Sequence, residues 1–186
     1  MQKLIATIRA FVVLLLLAVP LPAMAAEFVD NAAVDELFGQ LKAAQSAGEA
    51  NDISQQIWAY WFAPDEPKLA ARMSLAQAAM TGGDLKTSLS MLDSIVADYP
   101  GYSEGWNQRA TLHYMMNNLD ASLADIDKVL ALEPRHFGAL SGRVLIYLKQ
   151  GKHNEALADM IAALAIHPYL SEKQLFPELA QDITRT

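Results

Sequence analysis

Pro100, Pro134 and Pro168 stand 34 residues apart, and the phrase Ala131-Leu132-Glu133-Pro134 returns at that interval as Ala165-Ile166-His167-Pro168. A fixed period of this length constrains a chain more than its composition does, because self-similar segments must bury their apolar stripes against one another. Three blocks align without a gap, at 69–102, 103–136 and 137–170. Their eighth residues are small or modest (Ala76, Ala110, Val144), their twentieth small (Ser88, Ser122, Ala156) and their twenty-fourth apolar (Leu92, Ile126, Met160).

Each block carries two apolar-periodic runs around a turn: Gly82-Gly83-Asp84, Asn117-Asn118-Leu119-Asp120 and Gly151-Lys152-His153-Asn154. Helix, turn, helix is the expected unit. Small residues at the eighth and twentieth places let the two backbones approach closely, and the proline cannot continue the second helix, so it ends one block and frees the next.

The pattern resembles the tetratricopeptide repeat family, whose motif places large, small and aromatic residues in the first helix, small ones in the second, and proline near the end. The middle block carries Trp106, Ala110, Tyr114, Ser122, Val129 and Pro134, and the third Leu140, Tyr147, Ala156, Ala163 and Pro168. The first block departs from the motif with Arg72 and Ala79. The resemblance implies an all-α solenoid, a right-handed superhelix of antiparallel helix pairs. The segments GWNQRATLHY and LALEPRHFGAL are moreover similar to exported repeat proteins of the bacterial cell envelope, whose roles are mostly unassigned.

The family lines its concave groove with the first helix of each repeat. Carried over, that implies a groove of Met73, Gln77, Met80, Glu104, Asn107, Thr111, Tyr114, Ser141, Leu145 and Leu148. The set is apolar and amide-rich, with no lysine or arginine to hold a ligand's C-terminal carboxylate. An extended peptide or an amphipathic helix suits it better, with methionines adapting to the guest.

The flanks read as caps. Residues 26–68 hold Val34, Leu37, Phe38 and Leu41, then Ile53, Ile57, Trp58 and Trp61, both sets at helical spacing, so a divergent fourth helix pair is expected, closed by Pro64-Asp65-Glu66-Pro67. Packing within that pair accounts for most of the aromatic run Trp58, Tyr60, Trp61 and Phe62. In residues 171–186, Ser171 and Gln174 have capping-box spacing ahead of Leu175, Phe176 and Leu179, which predicts a short terminal helix over the last block, divided at Pro177.

Residues 1–25 have the order of a secretory signal: Lys3 and Arg9, the apolar run from Phe11 to Val19, the breakers Pro20 and Pro22, and Ala23-Met24-Ala25 as cleavage site. The run falls short of the ~20 residues needed to cross a bilayer. Cleavage after Ala25 is expected, leaving a periplasmic or secreted protein with no stable membrane insertion. Loss of Lys3 and Arg9 moves the net charge from −7 to −9, which disfavours nucleic-acid partners. With no cysteine, neither a disulfide nor a lipid-modified cysteine is available.

Catalytic chemistry finds little support. His113, His136, His153 and His167 include no pair at metal-ligand spacing, no serine sits in a nucleophile motif, and Gly82-Gly83 is a turn rather than a phosphate loop. Neither a metal nor a cofactor is expected, nor is enzymatic activity. Arginine recurs at the seventh place (Arg109, Arg143) and aspartate at the twenty-third (Asp125, Asp159), so an Arg-carboxylate bridge within or between blocks is expected. The expected function is a non-enzymatic periplasmic interaction module, an adaptor or assembly factor that binds another envelope protein or peptide in the concave groove. A self-associating structural protein is the alternative, and an enzyme with an unconventional site a more remote one.

Overall fold

The computed structural model describes residues 31–181; the proposed signal segment and residues 182–186 lie outside them. The described chain is all-α. The order is α1 (Asn31–Ala43), α2 (Ala47–Phe62), α3 (Pro67–Thr81), α4 (Leu85–Asp98), α5 (Ser103–Met115), α6 (Leu119–Leu132), α7 (Phe137–Lys149), α8 (His153–Ile166), a 3-10 turn (Ser171–Leu175) and α9 (Pro177–Gln181). The pairs α3–α4, α5–α6 and α7–α8 form three hairpins stacked in chain order.

The corners repeat atom for atom. Tyr99, Glu133 and His167 cap the second helices, each donating its N–H to the carbonyl four residues back (Ile95, Val129, Ala163) at 2.8 Å. Pro100, Pro134 and Pro168 follow directly, and their rings hold the preceding residue out of the helical region. The turns repeat as well. Gly83, Asn117 and Gly151 occupy the same place in each hairpin with φ of +82°, +61° and +72°. The next residue's N–H reaches back five residues to a carbonyl (Asp84 to Ala79, Asn118 to His113, Lys152 to Tyr147), which satisfies orphan acceptors at the helix end.

Close approach inside each hairpin follows from the small residues. Ser88 Oγ donates to the Ala76 carbonyl at 2.9 Å, and Ser122 Oγ to that of Ala110 at 2.8 Å, so the twentieth residue ties itself to the eighth. The third hairpin replaces this with buried Val144 and Ala156. The apolar seam is continuous because each block borrows from the next. Leu112 of the second block completes the cluster around Leu69, Met73, Leu92 and Tyr102, while Ala139 and Ile146 of the third complete the one around Ala110, Ile126 and Val129. Phe176, fully buried among Val144, Met160 and Ala163, closes the last.

Two local expectations change. Pro67 belongs to a helix rather than a linker: it opens α3, with Glu66 as the capping residue that accepts the Leu69 N–H at 3.0 Å. Ser171 does not cap a helix. Residues 171–175 form a 3-10 turn, Ser171 Oγ lies 3.2 Å from Glu172 Oε2, and α9 begins only at Pro177.

The α1–α2 hairpin does not extend the stack beneath α3. Its contacts run instead to α5 and to α8, near the far end of the molecule. Phe38, Leu41, Ile57 and Trp61 share a buried cluster with Phe137, the first residue of α7. Asp35 pairs with Arg135, 100 residues away, at 2.6 Å, and the Arg135 guanidinium lies 4.2 Å above the Phe38 ring.

At Gly151 an added Cβ would meet nothing within 4 Å, so the positive φ is the only penalty for a side chain there. Gly151→Ala is expected to cost about 1–2 kcal/mol, lowering Tm by a few degrees. Thermal melts followed by circular dichroism check this, with Gly151→Asn expected to lose less.

Candidate functional site

The first helices α5 and α7 form the inner face of the stack, and α2 lies against it. Three contacts fix α2 there. The Tyr102 hydroxyl, whose pKa burial raises, donates to the Trp61 carbonyl at 2.7 Å. The Trp61 ring stacks on His136 with centroids 4.0 Å apart and planes 7° from parallel. Trp58 approaches Gly138 so closely that a Cβ there would sit 2.5 Å from the indole, a place only glycine can fill.

Below this contact lies a buried polar network. Glu104 is fully buried and accepts from Asn107 Nδ2 at 3.1 Å and Gln108 Nε2 at 2.6 Å. His136 Nδ1 accepts the Ala139 N–H at 3.0 Å, which leaves Nε2–H to donate to Glu104 Oε2 at 3.1 Å.

Beside the network, α2, α5, α7 and the 167–172 segment enclose a cavity of about 680 Å³. Trp58, Phe62, Tyr114 and Tyr169 supply aromatic walls; Asn51, Gln108, Thr111 and Ser141 supply polar groups. Of the implied groove residues, Asn107, Thr111, Tyr114, Ser141 and Leu145 line this cavity. The others lie elsewhere. Met73 is a core side chain under α4, and Met80 packs beside it. Leu148 packs on the third cluster, and Gln77 is exposed outside the cavity. Glu104 sits behind the wall because α2 and His136 cover it.

Part of the cavity wall comes from residues outside the repeat motif. Trp58 and Phe62 precede the repeats, while Tyr169 and Glu172 follow the last proline. The aromatic density of 58–62 was the available cue, but nothing in the period says which face it covers. His167 is nearly buried at the cavity edge, its ring edge-on to Phe137, and burial lowers its pKa below the ordinary histidine value.

The arginine columns form a continuous ladder on the stack. Arg109 holds Asp125 with a two-pronged contact at 2.8 and 2.7 Å and reaches Asp93 of the preceding hairpin at 2.9 Å. Arg143 repeats this with Asp159 at 2.7 and 2.8 Å and with Asp127 at 3.1 Å. Each arginine thus bridges both within and between blocks, and hydrogen bonding to Asp125 and Asp159 raises both guanidinium pKa values. Asp125 and Asp127, two apart on α6, serve different arginines.

These features define a tetratricopeptide-type solenoid whose concave face is closed by its own N-terminal hairpin. The comparisons agree on the fold. A "TPR repeat-containing protein" of Rhizobium etli is 35% identical over 85 residues, which are 46% of this chain and 42% of that protein. The chain therefore matches less than half the length of that relative. A crystal structure of MamA superposes with a TM-score of 0.50 at 16% identity, over 73% of this chain and 78% of MamA. A MamA variant gives a TM-score of 0.50 at 15% identity, covering 77% and 95%. No protein-family model matches the chain.

Removing Arg109 strands Asp125, whose side chain is only 5% exposed. Arg109→Ala is expected to cost about 3 kcal/mol in urea unfolding, because a buried carboxylate loses its partner, whereas Asp93→Ala should cost under about 1 kcal/mol. His167 gives a pH signature. Its folded pKa lies below the unfolded value of about 6.5, so the unfolded chain takes up the proton first and stability falls as pH drops through that range. In His167→Gln the loss of unfolding free energy between about pH 7 and 5 should shrink measurably.

Proposed function

We propose that this chain is an exported, non-catalytic interaction module that holds a segment of another cell-envelope polypeptide in its concave cavity. The fold supports the coarser part: a tetratricopeptide solenoid is a protein–protein interaction scaffold, and such scaffolds are generally not enzymes. One observation carries the finer part. The cavity between α5, α7, α2 and residues 167–172 is pre-formed and rimmed by neutral amides and aromatic rings, the mixture that grips a peptide backbone and its apolar side chains. The order of Lys3, Arg9, the apolar run and Ala23-Met24-Ala25 supports export to the periplasm.

A second role, self-association, draws on two exposed side chains. Leu75 stands in the first hairpin where Arg109 and Arg143 stand in the next two, and Ile161 in the third where Asp93 and Asp127 stand before it. They are 60% and 53% exposed, so the ladder gives way to apolar residues where it stops. Concentration-dependent light scattering that Leu75→Arg abolishes is the signature of that role.

Thr111 is exposed and lines the cavity. Thr111→Trp should fill it without touching the core. Displayed-peptide selection on the purified chain is expected to yield segments that bind with micromolar Kd and weaken at least about tenfold on Thr111→Trp at unchanged helicity. Failure to select any segment, or equal binding by the variant, would contradict the role.

A further inference from the structure

We propose that the cavity selects a short, extended segment bearing a lysine or arginine among apolar residues and rejects acidic ones, an inference that rests on the peptide-binding role above. Three observations converge on it.

The first is shape. An α-helix with its side chains is about 10–12 Å across, and a guest here must fit between Trp58 and Phe62 of α2 on one side and α5 and α7 on the other. The wall formed by Trp58 and Phe62 blocks the open trough that a helix needs. An extended strand at about 3.3 Å per residue is narrower and offers its backbone groups on both edges.

The second is the direction of the hydrogen-bonding groups. Glu104 engages the side-chain N–H groups of Asn107 and Gln108 from behind. Their carbonyl oxygens make no hydrogen bond among the described residues, so the two amides meet the cavity as acceptors. Ser141 lines the same cavity, is 7% exposed, and its hydroxyl has no partner. A buried hydroxyl left this way is a place for a guest's polar group. At His167, Nδ1 accepts the Tyr169 N–H at 3.3 Å, so the neutral ring keeps Nε2–H as a donor for a guest carbonyl. A backbone that both donates and accepts, with an additional cationic donor, matches this set.

The third is charge. Among the lining residues Glu172 is the one carboxylate, and no lysine or arginine is present. Glu104 adds a second carboxylate just behind the amides. Lys149 and Lys173 lie over the rings of Tyr114 and Tyr169, 5.4 and 5.6 Å from the centroids, but do not line the cavity. Each of those two rings already carries a lysine over one face, and Trp58 adds a ring at the cavity wall with no cation over it among the described residues. An acidic guest would meet two carboxylates and no cationic group in the cavity lining, Lys149 and Lys173 being held over the tyrosine rings, whereas a basic one finds carboxylate, carbonyl oxygens and an aromatic wall together.

The test uses the full purified chain and an equimolar library of blocked hexapeptides. Retained peptides are separated by rapid gel filtration and identified by mass spectrometry. Peptides with lysine or arginine between apolar residues should be enriched over those with aspartate or glutamate by at least about tenfold, falling by at least about threefold in Glu172→Gln and vanishing in Thr111→Trp. An amphipathic peptide of about 18 residues, helical by itself, should be retained more weakly than the best hexapeptide. Retention without charge preference, acidic enrichment, an unchanged ratio in Glu172→Gln, or stronger retention of the helical peptide would overturn the selectivity while leaving peptide binding intact. Retention of no peptide at all would overturn both.

Discussion

A buried carboxylate costs several kcal/mol unless its oxygens are satisfied, and Glu104 is the one on which the site depends. Asn107, Gln108 and His136 all donate to it. Through them one side chain organises three parts of the molecule. It fixes the amides of α5, orients the imidazole that caps α7, and so presents the flat ring on which Trp61 stacks. The hairpin's position, and with it the cavity, rests on this polar network together with the apolar cluster of Phe38, Leu41, Ile57, Trp61 and Phe137. Such a network specifies one arrangement where apolar packing alone would tolerate several.

The repeat itself was legible because its determinants are local and recur. Proline after each second helix, a small residue at each crossing and a left-handed residue in each turn act within one hairpin or against its neighbour, so the period of 34 carries them. The arginine columns were legible for the same reason, although only half of each contact was foreseen. Asp93 and Asp127 join the ladder from the preceding hairpin, which requires the rotation between blocks as well as the register.

The site was legible only in part. Asn107, Thr111, Tyr114, Ser141 and Leu145 face the cavity because the inner face of α5 and α7 follows from the repeat. The placement of α1–α2 rests on Trp58, Trp61, Phe38 and Asp35 meeting residues 135–138, contacts up to 100 residues apart that no period encodes. Glu104 and Met73 show the consequence. Residues that the family pattern assigns to an open groove become a covered hinge of the network and a core side chain once the actual neighbours are in place.

The central claim is that the N-terminal hairpin folds across the stack to close its concave face. The chain has no cysteine, so Asp35→Cys combined with Arg135→Cys creates a unique thiol pair, replacing side chains that meet at 2.6 Å. Crosslinking by a short dithiol-reactive reagent measures their proximity directly. Rapid intramolecular crosslinking in buffer, lost in denaturant, is the expected result. If the hairpin were stacked beneath α3, the helices between would hold the two sites at least about 20 Å apart, and absence of crosslinking in buffer would contradict the account.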